Sequence, residues 1–149
     1  MATLREIPYG NQHFRVDLGT GADGPAAGFS HIVLPDIAID VIEYRTGNDK
    51  ESGTHKLAGL ARYGNVILRR GVIGSMDLYN WINQVRNGDA NARRTVTISL
   101  LSEDLTNVVL TWKLLRAWPM KYSFGDLNAK GTDVAMEELV LAYERLEME

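Results

Sequence analysis

Two-residue alternation of apolar and polar side chains is what most constrains this chain, because in an extended strand successive residues point to opposite faces. Phe14, Val16 and Leu18 alternate with His13, Arg15 and Asp17, and Val96, Ile98 and Leu100 alternate with Thr95, Thr97 and Ser99. After the turn-like stretch Ser102 to Asn107, Val108, Leu110, Trp112 and Leu114 alternate with Val109, Thr111, Lys113 and Leu115. Two such runs across a short polar connection predict an antiparallel hairpin. Asn65 to Arg70 predicts a further strand. Ile37, Ile39 and Val41 repeat the pattern beside Ala38, Asp40 and Ile42, but here both faces carry apolar groups. The chain is therefore expected to be mainly β.

One segment follows a different period. Leu78, Trp81, Ile82 and Val85 stand at i, i+3, i+4 and i+7, which predicts an amphipathic helix with those four side chains as its core anchors. Ser75 is the expected N-cap, and Gly88 the stop. Residues 134–146 are ambiguous. Ala135, Met136, Leu139, Val140, Tyr143 and Leu146 form a helical stripe rich in helix-favouring residues, whereas Leu139, Leu141 and Tyr143 also alternate as a strand would. Propensity favours helix. Gly19 to Gly28 and Arg45 to Tyr63 read as loops inside one domain spanning 1–149.

Composition removes several functions. The chain has 149 residues, 45% hydrophobic and 23% charged, which suits one ordinary globular domain. A net charge of −3 leaves no basic footprint for nucleic acid. With no cysteine there is neither a disulfide nor a thiolate zinc site. The start, Met1 to Glu6, lacks the charged and apolar regions of a secretory signal, and no apolar run approaches the ~20 residues that span a bilayer. A protein made in the cytoplasm without a signal peptide is expected.

Motifs that suggest chemistry fail on their context. Gly19-Thr20-Gly21-Ala22-Asp23-Gly24 matches a dinucleotide fingerprint, but Pro25 and Pro35 leave no room for the helix that must hold the pyrophosphate. His13, His31 and His55 lack metal-pair spacing. Glu103-Asp104 and Glu137-Glu138 are adjacent carboxylates, which on a strand point apart. Arg69-Arg70 and Arg93-Arg94 read as solvated strand ends or subunit contacts. No catalytic, cofactor or metal site is expected, and the chain reads as no enzyme.

The order of segments carries more information than any single motif. Val41-Ile42-Glu43-Tyr44-Arg45-Thr46-Gly47 ends a strand and opens a polar loop; Lys56-Leu57-Ala58-Gly59-Leu60 precedes Tyr63-Gly64-Asn65-Val66-Ile67-Leu68-Arg69-Arg70-Gly71. Leu78-Tyr79-Asn80-Trp81-Ile82, the stretch Arg94 to Leu101, Trp112, Ala117-Trp118-Pro119, Asp126-Leu127-Asn128-Ala129 and Val134 to Ala142 follow in turn. In this order they resemble the tail-tube proteins of contractile phages and the inner-tube proteins of extracellular contractile injection systems; Ala58 stands where that family often has proline. The resemblance implies an antiparallel β-barrel or two-sheet sandwich with one flanking helix, like the tubes of type VI secretion, and makes 134–146 a strand. It implies a structural subunit forming stacked, hexameric rings, a hollow conduit within a sheath. Implied partners are copies of itself, sheath, baseplate and tube-terminating proteins, with cargo or phage DNA in the lumen.

The residues point the same way. Ile37, Ile39, Val41, Ile42 and Tyr44 put apolar groups on both faces of one strand, more than a small core needs, and the surplus is expected to meet another chain. In the loop that follows, Arg45, Asp49, Lys50, Glu51, Lys56 and Arg62 form a mixed-sign set around Leu57 and Leu60, suited to complementary contacts with a neighbour, which the resemblance implies is the adjacent ring. The rival reading is a monomeric β-barrel that binds a small ligand.

Overall fold

The computed structural model describes residues 2–19 and 28–149, so most of the glycine-rich fingerprint lies outside the described residues. Strands β1 (Phe14–Asp17), β2 (His31–Val33), β5 (Val66–Gly71), β6 (Arg94–Leu101), β7 (Val108–Phe124), β8 (Met136–Ala142) and β9 (Arg145–Met148) form one antiparallel system. Its path is β1-β6-β7-β8-β5-β2, with β9 also paired to β7. Strands β3 (Ile37–Tyr44) and β4 (His55–Tyr63) form a second sheet of two strands. The system does not close into a barrel and is sandwich-like, one of the two forms the sequence resemblance implied.

The hairpin expected from alternation is β6–β7, with Ile98 opposite Trp112 and Val96 opposite Leu114. In its turn the Asp104 carboxylate accepts from the Ser102 hydroxyl at 2.5 Å and the Thr106 hydroxyl at 2.8 Å. These bonds hold Asp104 down at about 2. Strand β7 runs on well past the expected end. At Arg116 the backbone turns to φ 54°, and just beyond it the strand changes partners: residues up to Ala117 pair with β6 or β9, and Trp118 onwards pairs with β8. One bent strand thus joins both parts of the sheet system.

The core gathers alternate residues from these strands: Val16, Leu18, Val66, Leu68, Val96, Ile98, Leu114, Leu139 and Leu141. Each contributes roughly 1.5–3 kcal/mol by leaving water. The helix α1 (Asp77–Arg86) covers them with Leu78 and Trp81, both buried, while Ile82 and Val85 are half-buried. The Trp81 ring nitrogen donates to the carbonyl of Ala92 at 2.6 Å, and the Arg94 guanidinium lies 4.7 Å from the ring centre.

Three expectations need correction, and one conflict is resolved. Ser75 is not the N-cap; Met76 is, and its side chain makes no cap bond, while the Ser75 hydroxyl one residue earlier accepts from the Asp77 amide at 3.4 Å and donates to Asp77 Oδ1 at 2.7 Å. Residues 136–142 are strand, as the resemblance implied and against helix propensity, since β8 sits between β5 and β7 and both of its edges are hydrogen bonded. The supposed loop Arg45 to Tyr63 is half strand: β4 occupies 55–63, so Lys56, Leu57, Leu60 and Arg62 belong to a hairpin arm. Arg70 is no solvated strand end but 1% exposed. Its guanidinium pairs with the buried Glu137 and with Asp77 at 2.6 Å, while Tyr122 donates to Glu137 at 2.5 Å. Desolvation makes such a cluster tolerable only when each charge is matched.

Candidate assembly interface

Strands β3 and β4 are held together by their own ladder. Ile37 pairs with Tyr63, Ile39 with Ala61, and beyond an irregularity Val41 with Ala58, Ile42 with Leu57 and Tyr44 with His55. The irregularity falls at Gly59, where a Cβ would lie 3.0 Å from the carbonyl oxygen of Asp40, so a glycine is what the close approach accommodates.

The hairpin's base is its point of attachment. The Gly64 amide donates to the Asp36 carbonyl at 3.1 Å, and the Tyr63 ring lies 5.7 Å from that of Tyr143. Burial, with Asp36 and Tyr63 close by, pushes the Tyr143 hydroxyl up to about 12. A half-buried tyrosine with a neutral hydroxyl suits an anchoring role.

Period-2 geometry sorts the arm's side chains. One face carries Ile37, Ile39 and Val41 with Ala61 and Ala58; the other carries Ile42 and Tyr44 with Leu57 and Arg62. Both faces are open. Ile39 is 58% exposed, Val41 63%, Ile42 50% and Leu60 77%. Neither face lies in the chain's own core, which goes beyond the one spare face that alternation suggested. The Arg62 guanidinium bonds both oxygens of Asp40, at 2.9 and 3.0 Å.

The tip, residues 45–54, closes on Asp49. Its carboxylate accepts from the Thr46 amide at 3.1 Å and stands 3.5 Å from the His55 ring. Arg45 donates to the Glu51 carbonyl at 3.4 Å, and Lys50 is exposed. The hairpin thus brings the two expected groups together, the apolar residues along its arms and the charges at its tip. The helix anchors Leu78, Trp81, Ile82 and Val85 stand apart from it. Among the described residues no helix is long and apolar enough to cross a membrane.

A family model described as the T4-like virus tail tube protein matches residues 10–147. The chain belongs to this family. It is a tail-tube protein, a structural subunit of the inner tube of a contractile particle. It is similar to a chain of the sheath–tube complex of an extracellular contractile injection system, PVC, in the extended state: 29% identical, TM-score 0.83, covering 97% of this chain and 93% of that one. It is also similar to a chain of the anti-feeding prophage baseplate, 27% identical with TM-score 0.81 and 97% of both chains covered. A chain of the tube-terminating cap of that prophage is 26% identical, TM-score 0.83, with 100% of the tail-tube protein and 95% of that chain covered. Hcp1 from Flavobacterium johnsoniae shares the fold, at 14% identity and TM-score 0.55, covering 91% of this chain and 93% of that one. No curated protein sequence matches. Nothing among these relatives supports a monomeric ligand-binding barrel.

Proposed function

We propose that this tail-tube protein closes into rings of six copies through its β3–β4 hairpin, and that the rings stack into a hollow conduit inside a sheath. The observation that carries this is the hairpin itself, an arm with aliphatic side chains exposed on both faces and attached to the body at its base. A head-to-tail contact repeated around a rotation axis covers such an arm in every copy at once. It also pairs the free edges of β3 and β4, which otherwise invite uncontrolled association. The sixfold symmetry named for the anti-feeding prophage baseplate supports six copies. The sheath–tube complex, baseplate and cap to which its relatives belong support sheath, baseplate and terminator as partners, and a virion or injection particle as its location. In this role the chain catalyses nothing, holds no cofactor, and acts by enclosing cargo in its lumen.

The test is mass in solution together with negative-stain microscopy of parent and Ile39→Asp/Val41→Asp protein. Both positions are exposed in the single copy, so the variant folds normally and stays monomeric while the parent forms rings. A parent that is monomeric at high concentration, or a variant that still forms rings, refutes the proposal.

A further inference from the structure

Outside the hairpin, two surface features complement each other. The first is a groove between α1 and the second half of β7. It has two lobes, of ≈ 400 and ≈ 420 Å³, and Val85 and Trp118 line both. Ile82 and Met120 extend its apolar wall. Arg86 and Arg93 border it. Arg93 shares the single carboxylate of Glu144 with Arg116, two cations on one anion. Arg86 hydrogen bonds neutral groups, Asn83 at 2.8 Å and the Tyr79 hydroxyl at 3.1 Å. Asp89, the acid in the groove, is engaged by the Asn91 amide at 2.9 Å. The surplus is positive.

The second feature is the connection from β7 to β8, residues 125–135. Leu127 is 89% exposed and Val134 71%. Asp126 and Asp133 accompany them, and among the described residues neither enters an ion pair. An irregular loop that presents a large aliphatic group to water beside unmatched acids is suited to an apolar socket with a basic rim.

We propose that residues 125–135 of one copy seat in the α1–β7 groove of the next, with Leu127 against Val85 and Trp118 and the two acids facing Arg86 and Arg93. Groove and loop occur at different points along one strand, since residues 118–122 wall the groove and the loop begins after Phe124. Complementary patches displaced along a rigid body make a head-to-tail contact, not a self-matching one. This is the contact geometry that rings and stacks need. It rests on the self-assembly proposed above and adds a second, hairpin-independent contact to it.

The chain has no cysteine, so a designed pair reports cleanly. Leu127→Cys combined with Arg86→Cys alters two exposed positions, and oxidation of the assembled protein is expected to yield a disulfide ladder beyond the dimer. Mixing the two single variants yields dimers alone. A disulfide demands Cβ atoms about 3.5–4.5 Å apart, so the ladder reports contact and not mere proximity. Assemblies that form but do not cross-link overturn this contact and leave self-assembly standing; parent protein that never assembles overturns both. Cross-linking of Leu127→Cys to Leu60→Cys in place of Arg86→Cys assigns the loop to the hairpin and overturns the groove. In a second arm, Leu127→Asp raises the concentration needed for assembly about tenfold or more, as expected for losing one buried leucine. Asp126→Arg weakens assembly and Arg86→Asp in the same chain restores it; no change in either arm also overturns the contact.

Discussion

Replacing Trp81 by alanine should be among the costliest single changes in this protein. The side chain is fully buried where α1 crosses the sheets, so the variant loses a large apolar group from a site walled by strands that cannot collapse into the space. Truncations of this kind cost about 3–5 kcal/mol. The ring nitrogen's bond to Ala92 disappears as well, leaving a carbonyl unmatched at a residue only 2% exposed, and the Arg94 stacking goes with it. For a chain of this length each kcal/mol moves the melting temperature by about 2–4 °C, so a fall of roughly 6–20 °C is expected. Trp81→Phe separates the contributions. It keeps most of the volume and the stacking surface but loses the donor, and should cost about 1–3 kcal/mol. Urea unfolding followed by far-ultraviolet circular dichroism measures both, at one dilute protein concentration, because ring formation would stabilise the folded state by mass action. A Trp81→Ala variant within 1 kcal/mol of the parent (about the mean effect of any substitution) would refute the assignment of this helix face. Equal losses in the two variants would show that the hydrogen bond, not the volume, dominates.

Three further outcomes follow from the structure. Replacing residues 47–54 with a short Gly/Ser linker should leave the fold and the rings intact but stop tube growth, since the tip carries the charges suited to the next ring; long tubes from this variant in the microscope would place stacking elsewhere. Arg70→Met should cost about 3–5 kcal/mol by stranding Glu137, which is 3% exposed, whereas Arg70→Met/Glu137→Leu should recover most of that loss; equal melting temperatures for single and double variants would refute the pairing. Stability should fall between pH ~4 and ~2: Asp104 is held at about 2, and at Asp77 burial is outweighed by bonds from Arg70 and Ser75, so both bind protons less readily folded than unfolded and their contribution is lost as pH drops. A melting temperature unchanged from pH 5 to 2.5 would contradict this.

Where one face of a strand meets the core and the other meets water, the sequence was readable. Val96 and Ile98 are buried, their neighbours Thr95 and Thr97 are not, and the β6–β7 hairpin was visible from this alone. The reading failed where tertiary packing erased the alternation. In β8 the consecutive residues Leu139, Val140 and Leu141 are all buried, because the strand lies in the interior of the sheet system. Without a polar face, the alternation of Leu139, Leu141 and Tyr143 was outweighed by helix propensity, which pointed the wrong way. Arg70 was misread for a related reason: its partners Asp77 and Glu137 are 7 and 67 residues away, and no local pattern announces a pairing at such separations.

The β3–β4 arm proposed for assembly was half legible, and the missing half is instructive. Apolar groups on both faces of 37–44 mark a strand that one small core cannot satisfy, and that much is local information. Its partner β4 was hidden, because His55, Lys56, Gly59 and Arg62 make the segment look like a loop. Polarity is what an arm needs if it must stay dissolved before it assembles, since a flat apolar edge would pair indiscriminately. Arg62 bound to Asp40 places an ion pair on the face that also carries Ile42 and Leu57, breaking that apolar surface. The same residues that obscure β4 as a strand would therefore restrain it in the proposed interface. Removing that restraint, as in Asp40→Val/Arg62→Val, should drive irregular aggregation at the expense of rings.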